Sequence, residues 1–250
     1  MQRYFLEVTY KGSGYAGFQI QKNANTVQSE IQRTMYILFK EDILLTGSSR
    51  TDAGVHALQN FFHFDTELKI QERYIYNLNA LLPQDISIRN IIPVHSEAHC
   101  RFDAISREYS YHLYQKKNPF LNDRAYYFPY TMDVDKMQQA ARALFDYSDF
   151  SSFSKRNTQV KNFRCRILRS DWEIRDDQLI YHVQANRFLR GMVRGLTGTM
   201  LLAGRGTIDL EEFHAIIGSK DCSRANFAVP GHGLFLEKVN YPDGYFRAYS

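Results

Sequence analysis

The chain has 250 residues, 44% of them hydrophobic and 23% charged, which excludes a disordered or low-complexity polypeptide and suffices for one large or two ordinary domains of about 100–150 residues. Lysine and arginine outnumber aspartate and glutamate by 31 to 27, for a net charge of +4, a balance compatible with a polyanionic partner without demanding one. Cys100, Cys165 and Cys222 are odd in number, far apart and in no metal-ligand spacing, so neither a disulfide framework nor a zinc site is expected, and a reducing cytoplasm suits them.

The chain opens on a period-2 strand pattern over residues 4–10, with no signal segment, and no stretch approaches membrane-spanning length. A helix is predicted over 26–39, where Val27, Ile31, Met35 and Leu38 share a face. Strands follow at 43–46 and 59–64, then a helix over 71–82 that Pro83 cannot continue, then a strand over 86–94. The second half begins with an alternating strand at 107–114 and a helix capped by Asp133. Strands at 163–174 and 179–185 flank an Asp-Asp turn that favours a hairpin; helices are predicted over 186–203 and 209–217, the latter ending at Gly218, and a strand over 233–239. The same order of elements occurs twice without residue-level repetition. This implies two related α+β halves meeting near 101–107, sharing an antiparallel sheet with helices on one face and the other face free for a ligand.

Four segments carry candidate chemistry. Gly12-Ser13-Gly14-Tyr15-Ala16-Gly17 fits a dinucleotide-binding fingerprint, but a polar loop over 19–25 separates it from any helix, and the alternating strands and helices of a parallel sheet are missing. It reads instead as a glycine-rich strand end or substrate loop, and no nucleotide cofactor is expected. The loop from Gly47 to Ala57 places Arg50, Asp52 and His56 within seven positions; a guanidinium near Asp52 would hold the carboxylate ionised, and Gly54 permits close substrate approach. His56 reads as a structural hydrogen-bonding partner. In the helix predicted from 186, Arg187, Arg190 and Arg194 fall on one arc, which makes either a solvated basic face or a phosphate-tracking stripe. In Arg107-Glu108-Tyr109-Ser110-Tyr111, alternation puts Arg107, Tyr109 and Tyr111 on one strand face, as core tyrosines or as a base-stacking platform. The pair His95 and His99 has no third ligand nearby in sequence, and metal binding is not expected there.

Together these segments resemble the TruA family of tRNA pseudouridine synthases over nearly the whole chain. Arg50-Thr51-Asp52-Ala53-Gly54-Val55-His56-Ala57 is similar to that family's catalytic loop. Ordered support comes from Gly17-Phe18-Gln19, Thr26-Val27-Gln28, Leu82-Pro83-Gln84-Asp85-Ile86, Arg101-Phe102-Asp103-Ala104, Met192-Val193-Arg194 and Gly233-Leu234-Phe235-Leu236. The resemblance implies two ferredoxin-like (βαββαβ-type) halves forming a continuous antiparallel sheet, with helices on one face and an RNA-binding cleft on the other. Residues 1–104 would carry the catalytic aspartate loop and 105–250 the tyrosine strand and basic helix. It implies a cytoplasmic isomerase, a homodimer that binds tRNA and converts uridine to pseudouridine in the anticodon stem and loop, with no metal, organic cofactor or membrane. Asp52 takes the role of catalytic carboxylate, Tyr109 contacts the uracil, Arg194 is the aspartate's basic partner, and Arg50 helps hold the flipped nucleotide or its phosphate. Lys11 and Thr197, and Ser48-Ser49 in place of a smaller pair, depart from the family pattern. A paralogue with a shifted RNA target and a noncatalytic RNA-binding protein are the alternatives.

Overall fold

The computed structural model describes residues 1–156 and 160–246. The chain forms two compact units, Met1–Ile105 joined by the segment from Leu236 onward, and Ser106–Phe235. The division expected at 104/105 placed everything after it in the second half, whereas the chain returns to the first unit once Phe235 is passed. The fold is mixed, with mostly antiparallel open sheet and five α-helices among the described residues.

In the first unit, β1 (Gln2–Tyr10), β3 (His56–Thr66) and β4 (Ile86–Val94) pair antiparallel in the order β4-β1-β3, with the short β2 (Thr46–Gly47) on β3. The connecting helices are α1 (Val27–Phe39) and α2 (Arg73–Leu81). The start of α1 is set by a capping box in which the Thr26 and Ser29 side chains each accept from the other's backbone N–H. Lys40, in the left-handed region at φ 59°, ends it. Its buried face carries Val27, Ile31 and Met35, as the periodicity predicts. The expected strand over 43–46 shrinks to two paired residues: Ile43 and Leu45 alternate inward, but their backbones join no ladder.

In β3, Asn60 to Phe64 are all buried, so both faces of the strand are covered. On one face Phe62 stacks on Phe18 at 4.4 Å. On the other, Phe61 meets Tyr241 edge-to-face at 5.4 Å and stacks on Phe246 at 5.9 Å. Burying each such ring is worth roughly 1.5–3 kcal/mol, which is the physical reason the chain comes back to the first unit. The last strand, β9 (Leu234–Asn240), joins the sheet beside β3, where the Val239 N–H donates to the Gln59 side chain.

The second unit holds β5 (Ser106–Tyr114), β6 (Tyr126–Tyr127), α3 (Val134–Ala143), β7 (Ile167–Arg175), β8 (Gln178–Ala185), α4 (Met192–Gly204) and α5 (Leu210–Ser219). Antiparallel pairing runs β5-β8-β7, with β6 parallel to β5. Asp176, at φ 53°, and Asp177 close the predicted hairpin. Asp133 and Asp209 cap α3 and α5 through their side chains. Helix α5 runs past Gly218 and ends at Lys220, which takes the left-handed conformation instead. Helix α4 starts at Met192 and not near 186, because Gly191 at φ 76° breaks the helical path before it.

Candidate active site

The loop holding Asp52 lies between β2 and β3 and is seated on the glycine-rich segment that follows β1. The Thr51 carbonyl accepts from the Phe18 N–H at 3.1 Å, and the Gly54 N–H donates to the Tyr15 carbonyl at 3.4 Å. Within the loop, the Val55 N–H donates to the Asp52 carbonyl at 3.2 Å, closing a turn whose third residue, Gly54, sits at φ 78°. Buried side chains add a second tier. Tyr10 Oη and Thr51 Oγ1 share a 2.8 Å hydrogen bond, and the Asn60 amide donates to the Ser49 carbonyl at 2.9 Å. Asp52 is half-buried and Arg50 exposed, so the carboxylate stands on a rigid turn with access to solvent.

The glycines that mimic a dinucleotide fingerprint support this turn. A Cβ on Gly12 would sit 1.9 Å from the Val55 carbonyl oxygen, and one on Gly17, at φ 116°, would sit 3.0 Å from the Thr51 carbonyl oxygen. Only bare backbone fits there. Gly12–Gly14 form one 3-10 turn, far from the helix a pyrophosphate site requires. The buried His56 accepts the Gly12 N–H at Nδ1, 3.1 Å away, which is the structural role read from the sequence. Tyr15 Oη donates to Asp85 at 2.6 Å; burial and this bond raise its pKa, so the phenol keeps its proton.

Tyr109 and Arg194 belong to the second unit. Tyr109, half-buried on β5, meets Phe188 edge-to-face at 4.9 Å. Of the strand face predicted to hold Arg107, Tyr109 and Tyr111, the last is wholly buried and donates to the Pro230 carbonyl at 2.8 Å, so it is a core tyrosine. Burial drives its pKa up, with the charge of Arg194 opposing. Arg194, in the first turn of α4, donates from Nε to the Val229 carbonyl at 2.8 Å. That carbonyl is held in place because the preceding segment lies directly on the helix. The Asn226 N–H donates to Thr199 Oγ1 at 3.0 Å, and a Cβ on Gly198 would come within 2.2 Å of the Asn226 carbonyl oxygen.

The predicted stripe of Arg187, Arg190 and Arg194 does not form. Arg187 and Arg190 precede the helix, and α4 is buried on nearly every side, leaving no solvated basic face. The sequence reading also gave no role to Arg101 and Phe102. They line a concavity of about 270 Å³ in the first unit together with Gln19, Gly47, Arg50 and His99. Phe102 is 73% exposed with the Arg101 guanidinium over its ring, 5.7 Å from the centroid. That openness is visible only in the structure, since nothing in the sequence pattern around Phe102 reports it. Among the described residues, the one cluster of three side chains able to hold a metal is His63, His99 and Cys100, which does not include Asp52.

The model of the tRNA pseudouridine synthase family matches residues 7–103 and 140–242. The chain belongs to this family. It is similar to tRNA pseudouridine synthase A of Parabacteroides distasonis, with 44% identity over 98% of each chain. It is 40% identical to the Bacteroides fragilis protein of the same name over 99% of each chain. Against that of Staphylococcus aureus strain N315 the identity is 35%, over 95% of this chain and 90% of the relative. The family match contains Arg50, Asp52 and Arg194, while Tyr109 lies between its two stretches.

Proposed function

We propose that this chain isomerises uridine to pseudouridine in the anticodon stem and loop of tRNA, with Asp52 as the catalytic carboxylate. Membership of the tRNA pseudouridine synthase family makes it an isomerase that forms pseudouridine in tRNA. What supports Asp52 in particular is its presentation: a half-exposed carboxylate on a turn braced by Tyr10, Thr51, Asn60 and two glycines that tolerate no side chain.

The reaction needs such rigidity. Uracil must leave C1′ through N1, rotate while still held, and rejoin through C5, so the site binds a detached base without releasing it. The base must first be drawn from its stack, at a cost of a few kcal/mol. Tyr109 offers a half-buried ring that offsets part of this cost by stacking. Arg194, aimed by fixed carbonyls, and the exposed Arg50 are the proposed substrate-binding cations. Asp52 serves as an ionised carboxylate, whether toward C1′, toward the base or toward a ribose proton. The proposed setting is a cytoplasmic homodimer that uses no metal or organic cofactor in the reaction. Among the described residues, no helix is long and apolar enough to cross a membrane.

The test is mass-spectrometric mapping of pseudouridine, after chemical labelling, in unmodified tRNA incubated with wild-type protein or Asp52→Asn. Product in the anticodon arm with wild type alone is the expected result, with tRNA binding retained by the variant. Turnover by Asp52→Asn would overturn the assignment of the carboxylate, and product outside the anticodon arm would overturn the target.

A further inference from the structure

A lone exposed aromatic is ordinary on a protein surface, but Phe102 is displayed by a closed turn. The His99 N–H donates to the Asp103 carboxylate at 2.8 Å, and the Asp103 N–H returns to the His99 carbonyl at 3.0 Å. His99 Nδ1 accepts the Arg101 and Phe102 N–H groups at 3.2 and 3.4 Å. Burial lowers the His99 imidazole below its usual 6.5, so Nδ1 stays an acceptor at neutral pH. Tyr245 Oη ties the turn from outside by donating to Asp103 at 2.5 Å. These bonds fix the backbone beneath a ring that is 73% exposed and gains little from burial.

The ring stands at the concavity of about 270 Å³ in the first unit. Phe18 and Leu45 give this hollow buried apolar walls, and Gln19, Arg50 and Arg101 give it exposed polar ones. Among the described residues its lining holds two arginines and no carboxylate, although the chain has 27 acidic side chains. An aromatic face beside guanidinium groups, with no anion to repel a phosphate, suits an unpaired nucleotide. The volume is just below the ~300–1,000 Å³ of drug-sized sites, which matches one base. The Arg101 guanidinium, 5.7 Å from the Phe102 centroid, is near the roughly 6 Å limit of a cation–π contact. A base can therefore take its place on the ring while the guanidinium turns to the phosphate. Asp52 is not part of the lining, but Arg50 precedes it by two residues, at most about 7 Å of chain. The hollow thus lies beside the reacting uridine rather than around it.

We propose that this concavity receives the nucleotide next to the target uridine, its base stacked on Phe102 and its phosphate held between Arg50 and Arg101. The inference rests on the proposed action on the anticodon arm and adds a second nucleotide subsite to it. Every base has a π face, so Phe102 holds the neighbour without reading its identity. Its work is to anchor the strand while the uracil is detached and turned.

The experiment measures binding of anticodon stem-loop RNAs to the full chain carrying Asp52→Asn, so that no turnover intervenes. Two RNAs carry 2-aminopurine beside the target uridine, one on its 5′ side and one on its 3′ side. Binding should quench the emission of one of them. Adding Phe102→Ala should abolish the quenching and weaken binding about 5–150-fold, the share of one base–aromatic stack. Phe102→Tyr should restore both, whereas Phe102→Leu, apolar but without a π face, should not. Arg101→Ala should lower the log–log salt slope by about 0.7, one phosphate contact on a single strand, and Phe102→Ala should leave that slope unchanged. The ring is exposed, so each Phe102 variant should keep the circular dichroism of the parent. Undiminished affinity in Phe102→Ala or Phe102→Leu, or unaltered emission from both RNAs, would overturn the subsite. That failure is distinct from failure of the proposed activity: a chain that forms pseudouridine in the anticodon arm yet binds equally well without Phe102 refutes the subsite alone.

Discussion

Replacing Gly12 with alanine puts a methyl carbon onto a backbone oxygen, that of Val55, which has no rotamer through which to yield. Gly12→Ala should cost about 1–3 kcal/mol in urea unfolding and depress single-turnover pseudouridine formation. Gly14→Ala, whose nearest contact would be an Asp85 oxygen at 3.7 Å, should leave both nearly unchanged. Equal effects would show that the glycines do not brace the Asp52 turn. Beside them, the buried Ser48 and Ser49 hydroxyls have no hydrogen-bond partner among the described residues. Ser48→Ala and Ser49→Ala should therefore be neutral or stabilising by about 1 kcal/mol, and a large loss would reveal a polar role for them. His112 provides a pH readout. Burial lowers its imidazole below 6.5, against the Gln178 bond that raises it; Ser110, Phe235, His182, Arg175 and Glu173 surround it. The unfolded chain then binds a proton the fold refuses, so stability is full above pH 6.5 and falls as the pH drops through and below that value. His112→Gln should flatten this part of the stability profile.

At the scale of elements, helix starts were legible to within a residue because they are set locally. Asp133 takes its predicted place before a helix, while Thr26 and Asp209, expected as first helical residues, cap theirs from one position outside. Thr26→Ala should cost about 0.5–2 kcal/mol, and thermal unfolding would expose a smaller value as a sign that the box is redundant. The start of α4 was not legible. Leu189, in the loop before the helix, keeps a helical spacing with Met192, Val193 and Leu196 of α4, and only the left-handed Gly191 interrupts it. A glycine is ambiguous in sequence, being tolerated in a helix and also a breaker. The arginine stripe failed for this reason. Arg194 survived as a site candidate because it alone lies beyond the break, where the Val229 carbonyl orients it. The strand pair Tyr126–Tyr127 went unforeseen, since two residues carry no period. The Arg50–Ala57 string was readable because its residue types are dense and unusual together, whereas the partners that hold it, Tyr10 and Asn60, sit in strands whose patterns report only burial.

For the whole molecule, the small excess of positive charge implies that tRNA affinity depends on a limited set of well-placed cations. Binding should weaken linearly on a log–log plot against salt, and Arg50→Ala should reduce that slope by about 0.7–0.9, the share of one phosphate contact. An unchanged slope would remove Arg50 from the RNA-binding set. The fold class was legible at this scale because the order of elements repeats, yet the route of the chain after Phe235 was not, since burial of Phe5 and Phe61 is a demand that sequence pattern does not record. That route has a consequence for synthesis. A ribosome delivers Asp52 and its whole supporting loop early, but the aromatic cover of Phe5 and Phe61, Tyr241 with Tyr245 and Phe246, emerges only after the entire second unit. Until then the nascent chain carries the Asp52 loop on a frame whose Phe5 and Phe61 rings lack this cover and stay open to water. Translation cut short before Leu236 would release a chain that holds the Asp52 loop and lacks the aromatic cover of Phe5 and Phe61.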